Sequence, residues 1–244
     1  MRVKGEKTMK RNDVEKVFLV LLSAGALAIN ASGGTYANIT IGSGFSDWAG
    51  VPVAYTDEDG VNNPSGADFQ NIYLANDNNY LYIRFTLQQP ADPIDGWNTY
   101  IWLDGDNNPA TGFQPFGNPN FGSSLMIIND QAYQQTGGGW NEGTLTNADV
   151  AYACDSIPGT NFEFRIALDV TGVSGASTGV PLLPNNTIGV QLGNETGTDD
   201  SLPDWANYGA LTYTLATIPE PGTLTLVGLS LLMTIGLVRG RKSH

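Results

Sequence analysis

From Asp47 to about Leu215 the chain alternates short apolar-rich runs with clusters of Gly, Asn, Asp, Pro and Ser. The clearest run is Tyr80-Leu81-Tyr82-Ile83-Arg84-Phe85-Thr86-Leu87, where Leu81, Ile83, Phe85 and Leu87 share one side of a two-residue period and Tyr82, Arg84 and Thr86 the other. Asn76-Asp77-Asn78-Asn79 before it reads as its turn. Phe162-Glu163-Phe164-Arg165-Ile166-Ala167-Leu168 alternates likewise, which predicts both Arg84 and Arg165 on polar strand faces. Further strands are predicted over 51–56, 69–75, 100–103, 124–128, 149–153, 188–192 and 210–215. About nine strands separated by turns, with no sustained 3.6-residue period between them, predict an all-β domain over 38–216, a single antiparallel β-sandwich.

The two ends carry a different pattern. Arg2, Lys4, Lys7, Lys10, Arg11 and Lys16 precede an apolar run from Val17 to Ala28 that closes on Ala26-Leu27-Ala28. A basic start, a short apolar run and a small-x-small ending are the parts of a secretory signal peptide over 1–28. Signal peptidase would cut after Ala28, with Ala31 and Ala37 as alternatives. Met9 followed by Lys10-Arg11 is itself a normal start, so the first eight residues also read as a misplaced one. At the other end Pro219-Glu220-Pro221 is followed by an apolar stretch over 222–238 and then by Arg239, Arg241 and Lys242. Seventeen residues at about 1.5 Å each make a helix of about 26 Å, near the lower limit for crossing a bilayer, with the basic end cytoplasmic. An ordinary C-terminal anchor behind a proline-rich linker has the same parts. The order of triplet, span and basic cluster over 217–244 resembles the PEP-CTERM sorting signal. That resemblance implies processing by an exosortase, an exported protein of the cell envelope or extracellular matrix that is membrane-anchored before sorting, and association with exopolysaccharide and biofilm matrix.

Composition sharpens this picture. Charged residues make up 14% of the chain, and the formal net charge is −13. Nine of the eleven Lys and Arg lie in the two ends; between 38 and 218 only Arg84 and Arg165 face twenty Asp and Glu, which leaves about −18 on the body. Such a surface repels phosphate backbones and excludes nucleic acid as a partner. The one cysteine, Cys154, allows no intramolecular disulfide and reads as a small buried residue. The one histidine is the terminal His244, which removes Ser-His-Asp and Cys-His catalysis and most transition-metal sites.

Two constellations carry candidate chemistry. Asp104-Gly105-Asp106-Asn107-Asn108-Pro109 places oxygen donors Asp104, Asp106 and Asn108 at alternating positions around a turn, half of the set a calcium ion needs. Pro115 stands where an EF-hand would have its twelfth-position Glu, and the same residues read equally as an Asx-rich turn. Asp57-Glu58-Asp59-Gly60 and Asp199-Asp200 read as solvated turns. The tryptophans form the second set. Trp48 and Trp102 read as core or sheet surface, Trp140 follows Gly137-Gly138-Gly139 in a loop, and Trp97 and Trp205 precede two strands.

Read in order, Asp47-Trp48-Ala49-Gly50-Val51-Pro52, Ala67-Asp68, Asn79-Tyr80-Leu81-Tyr82, the stretch from Asp104 to Phe113, and Trp205 before Tyr208-Gly209 resemble the family 9 carbohydrate-binding modules and their relatives. The resemblance implies an antiparallel β-sandwich that binds calcium and sugars, with Trp97 and Trp205 gripping a sugar ring and Trp140 as a further stacking candidate. Asn98, Thr99 and Tyr100 stand where that family usually carries carboxylates; in the alternative, the two rings close the ends of the sandwich. The function expected is a non-catalytic polysaccharide-binding or matrix module. The alternatives are a purely structural surface protein and a glycoside hydrolase that uses two carboxylates.

Overall fold

The computed structural model describes residues 33–57, 67–92, 99–137, 143–194, 200–203 and 211–217, all within one compact unit, Gly33–His244. The predicted signal peptide over 1–28, the sorting tail over 217–244 from residue 218 onward, with its helix over 222–238, and Trp97, Trp140 and Trp205 lie outside the described residues. Among those described, no helix is long and apolar enough to cross a membrane.

Among the described residues, twelve strands form two antiparallel sheets. The first holds β1 (Val53–Thr56), β2 (Phe69–Asn76), β3 (Tyr80–Ala91), β9 (Gly159–Ala167) and β8 (Val150–Cys154) in that spatial order. The second runs β11 (Ser201–Leu202), β10 (Thr187–Gly193), β4 (Tyr100–Asp104), β5 (Leu125–Ile128), β6 (Gln131–Gln134) and β7 (Thr144–Leu145), with β12 (Leu211–Thr214) also on β10. The expected nine strands all occur, and β6, β7 and β11 are additional. Gln131-Ala132-Tyr133-Gln134 is too polar to read as a strand, and the other two are two residues long, too short to show any period.

The alternation in β3 sets the layers. Leu81, Ile83 and Phe85 stand directly across from Ile166, Phe164 and Phe162 of β9, and their inward side chains meet Ile101, Leu103, Leu125, Ile127, Ile188, Val190 and Leu192 from the second sheet in one buried core. Phe85 stacks on Phe162 at 5.1 Å between centroids and meets Phe69 edge-on at 5.4 Å. Each fully buried side chain of this size contributes roughly 1.5–3 kcal/mol, so this core is the main source of stability.

The outward face of the first sheet is covered as well. A short 3-10 turn, Phe45–Trp48, lies in a segment whose Ile39, Trp48 and Val51 pack with Tyr82 and Ala75. Arg84 sits between the rings of Phe45 and Tyr73, 5.0 and 4.8 Å from their centroids, and donates to Asn161 Oδ1 at 2.6 Å. Trp48 Nε1 donates to Glu163 Oε2 at 2.7 Å, and the backbone N–H of Gly42 donates to Oε1 at 2.8 Å. Trp48 is therefore structural, as its position in the sequence predicts. Cys154 corrects its expectation: it is only partly buried, because β8 is an edge strand.

Candidate functional site

The outward face of the second sheet is built differently. Tyr100, Trp102 and Asp104 alternate with the core residues Ile101 and Leu103 and so share that face. The rings of Tyr100 and Trp102 stack at 5.3 Å with an interplanar angle of 18°. Across from Trp102 stand Gln191 on β10 and Met126 on β5, and Tyr133 of β6 continues the row. The loop over 105–124 folds back across this face, and its Phe121 and Phe113 join Tyr100, Trp102 and Met126 in a second apolar cluster. Gly189 makes room for Phe121, since a Cβ there would come within 3.0 Å of that ring. Gly112, at φ +72°, and Gly122 let the two arms of the loop pass so closely that a side chain at either would meet the opposing backbone.

Polar groups are buried beneath the loop. Gln191 is fully buried; its Oε1 accepts from Asn118 Nδ2 at 3.4 Å, while its own Nε2 has no hydrogen-bond partner among the described residues. A buried amide N–H left in that state costs about 1–3 kcal/mol unless an acceptor reaches it. Tyr100 and Trp102 are each 2% exposed, so the stack and this amide are packed beneath the loop and support the face from inside.

At the far end of the same face lies the predicted cation turn. Asp104 is 2% exposed; its Oδ1 accepts from the N–H of Asn108 and its Oδ2 from that of Gly122, both at 3.2 Å. Asp106 accepts from Thr111 Oγ1 at 2.8 and 3.0 Å and from Asn108 N at 3.1 Å, and Asn108 Oδ1 accepts from Ala110 N at 3.1 Å. Asp104, Asp106 and Asn108 are thus brought together, each already accepting from the loop. Burial, first of all, and then the adjoining Asp106 carboxylate push the Asp104 carboxyl up to about 6. A divalent ion would replace the proton that this crowding favours.

Sequence reading missed a second carboxylate group. Asp57 after β1, Asp68 before β2 and Asp200 before β11 bring carboxylate oxygens within 4.8 Å of one another. Asp68 is 1% exposed, and Asp200 Oδ2 accepts from the N–H of Phe69 at 2.6 Å. Burial, chiefly, together with the Asp57 and Asp68 charges, pushes the Asp200 carboxyl up to about 7. Asp200 is therefore not the solvated turn residue its neighbourhood suggested. These three positions are more than a hundred residues apart at the extremes, and no local motif joins them.

No family model matches the chain, and no curated protein matches its sequence. Among solved structures it is similar to a family 9 carbohydrate-binding module from Caldicellulosiruptor kristjanssonii. The form in complex with glucose matches at 15% identity and a TM-score of 0.43, over 77% of this chain and 96% of that one. The form in complex with cellotriose matches at 16% identity and a TM-score of 0.45, over 78% and 95%.

Proposed function

We propose that this protein is a non-catalytic carbohydrate-binding module, exported and held at the cell envelope or in the extracellular matrix, with the tail around Pro219-Glu220-Pro221 as an exosortase signal and the apolar helix as its membrane anchor before sorting. The observation that supports the binding role best is the two-sheet antiparallel sandwich whose β4 follows Trp97 in the chain and whose β11 precedes Trp205; Tyr100, Trp102 and Gln191, at most 2% exposed, brace β4 beneath the loop rather than touch a ligand. Aromatic faces take the C–H side of a sugar ring, so the candidates for that contact are the tryptophans next to these strands in the sequence. In the chain, Trp97 stands three residues before Tyr100, and Trp205 two residues after Pro203. In the sequence, the predicted clamp residues therefore stand next to β4 and β11. Calcium at Asp104, Asp106 and Asn108 would fasten the loop that covers β4.

The test is binding of the full-length chain, held in a detergent without sugar groups, to a glycan array and to isolated matrix polysaccharide. Retention on a polysaccharide that Trp97→Ala with Trp205→Ala abolishes, at unchanged melting temperature, is the expected result. A double variant that unfolds would make both rings core residues and end the clamp reading. Absence of binding to any glycan would favour the purely structural alternative, and release of new reducing ends would favour the hydrolase.

A further inference from the structure

The end of the sandwich where β3 begins and β9 and β12 finish carries a trough that the proposed function does not use. It consists of two adjoining cavities of about 400 and 390 Å³ that share Asn78 and Leu168. One wall is the β2–β3 turn with the end of β9, from the first sheet; the other is Asn186 and 215–217, from the second. Both walls are held in place by backbone bonds, Leu168 N–H to Asn79 O at 2.7 Å and Leu215 N–H to Asn186 O at 2.6 Å. Asn76 ties them together: its Oδ1 accepts from Tyr213 Oη at 2.9 Å and from Ala216 N at 2.7 Å, and its Nδ2 donates to Ala216 O at 3.0 Å. The trough therefore exists before any ligand arrives, which lowers the ordering cost of binding.

Its lining is chemically specific. The side chains of Asn78, Asn79 and Asn186 are exposed and make no hydrogen bond among the described residues, while Leu168 and Leu215 are half-buried beneath them. The adjacent turn spends its carboxylate inward, Asp77 accepting from Asn79 N, Tyr80 N and Tyr82 Oη at 2.7 to 2.8 Å. Tyr80 is likewise engaged, since its hydroxyl donates to Asp149 and its ring carries Arg165 at 4.7 Å. What is left to a ligand is a set of amides, each both donor and acceptor, with the apolar Leu168 and Leu215, the exposed carboxylate of Asp169 in the first cavity and the exposed Thr217 in the second.

We propose that this trough is a second saccharide-binding site, taking a short neutral sugar through the amides of Asn78, Asn79 and Asn186 over Leu168 and Leu215. Amides satisfy hydroxyls in either direction, whereas Asp169 and the strongly negative body disfavour uronic acids. The site lies at the Asp104 end of β4, because β4 runs from Tyr100 beside Gly193 to Asp104 beside Gly189, near where β10 starts after Asn186. It stands independently of the tryptophan clamp.

The experiment is a titration of the full-length chain, labelled with ¹⁵N and held in a sugar-free detergent, with cellotriose, maltotriose and trigalacturonate, following backbone amides by NMR. At least one neutral trisaccharide is expected to shift the amides of Asn79, Leu168 and Asn186, and trigalacturonate is expected not to. Asn78→Ala with Asn186→Ala should raise the Kd at this site at least tenfold with an unchanged melting temperature, whereas Trp97→Ala with Trp205→Ala should leave these shifts in place. The proposal is overturned if neither neutral trisaccharide moves these amides, if the asparagine variant binds like the parent, or if the tryptophan variant loses the shifts. Neutral-sugar binding confined to the tryptophan variant's positions would thus sink this site while leaving the clamp standing.

Discussion

Glu163 shows how a single side chain joins two layers of this protein. Its position in the alternation of β9 predicts only an outward polar residue, yet it is 1% exposed because the segment around Trp48 lies over it. Both carboxylate oxygens are used, one by the indole of Trp48 and one by Gly42 N–H, and Arg84 stands directly across on β3. Charge-assisted bonds of this kind contribute about 1.5–3 kcal/mol each, and removing the acceptor strands the buried indole N–H of Trp48 while leaving the N–H of the exposed Gly42 to solvent. Glu163→Ala is therefore expected to lower the unfolding free energy by about 3 kcal/mol, and Glu163→Gln by less, since the amide oxygen keeps one acceptor. Denaturant titration with the two variants decides this; a loss below about 0.5 kcal/mol for the alanine variant would mean that the covering segment is held by its apolar contacts alone.

At the scale of elements, the loop between β4 and β5 matters most. Its composition predicts either a cation turn or an Asx turn, and the geometry contains both: the side-chain oxygens of Asp104, Asp106 and Asn108 all accept bonds from the loop, yet Asp104 and Asp106 crowd one another at the buried end of β4. Two carboxylates so placed favour a proton or a cation between them. Calcium at about a hundredfold excess over its Kd is equivalent to about 2.7 kcal/mol and is expected to raise the melting temperature by roughly 5–10 °C, and Asp104→Asn with Asp106→Asn to abolish the increment. Identical melting curves in calcium and in chelator would reduce the loop to a hydrogen-bonded turn. The three strands that sequence reading missed belong to this scale too. β6, β7 and β11 are held by a neighbour already in place, Tyr133 beside Met126 and Leu202 beside Leu192, rather than by any pattern of their own.

Over the whole molecule, charge sets the response to pH. Asp200 and Asp104 have carboxyls pushed up to about 7 and about 6, above the value of about 3.9 for an unfolded aspartate. The folded state therefore holds more protons than the unfolded one between those limits, and the stability from these groups is complete below about pH 4 and lost as pH rises through 6 and 7. Asp149 works in the opposite sense: the Tyr80 hydroxyl and Arg165 hold its carboxyl low, so its contribution is present above about pH 4 and falls away in acid. In chelator and at constant salt, the denaturation midpoint is expected to fall from pH 5 to pH 8, and Asp200→Asn to flatten that slope. A midpoint independent of pH over this range would show that the Asp57, Asp68 and Asp200 carboxylates are already neutralised by another partner.

The sequence by itself determined which side of β3 and β9 faces inward, because a two-residue period survives any tertiary arrangement; it also determined the Asn76–Asn79 turn and the position of nine strands, because turn chemistry and alternation are local. The proximity of Asp104, Asp106 and Asn108 was legible for the same reason, since they lie within five residues of one another. Only the tertiary structure decided that Gln191 lies beside Trp102, that Asp57, Asp68 and Asp200 converge, and that Asn78 and Asn186 line one trough. Each of these depends on strand order and on how two sheets close over a shared core, and contacts between distant segments leave no periodicity in one sequence from which to read them.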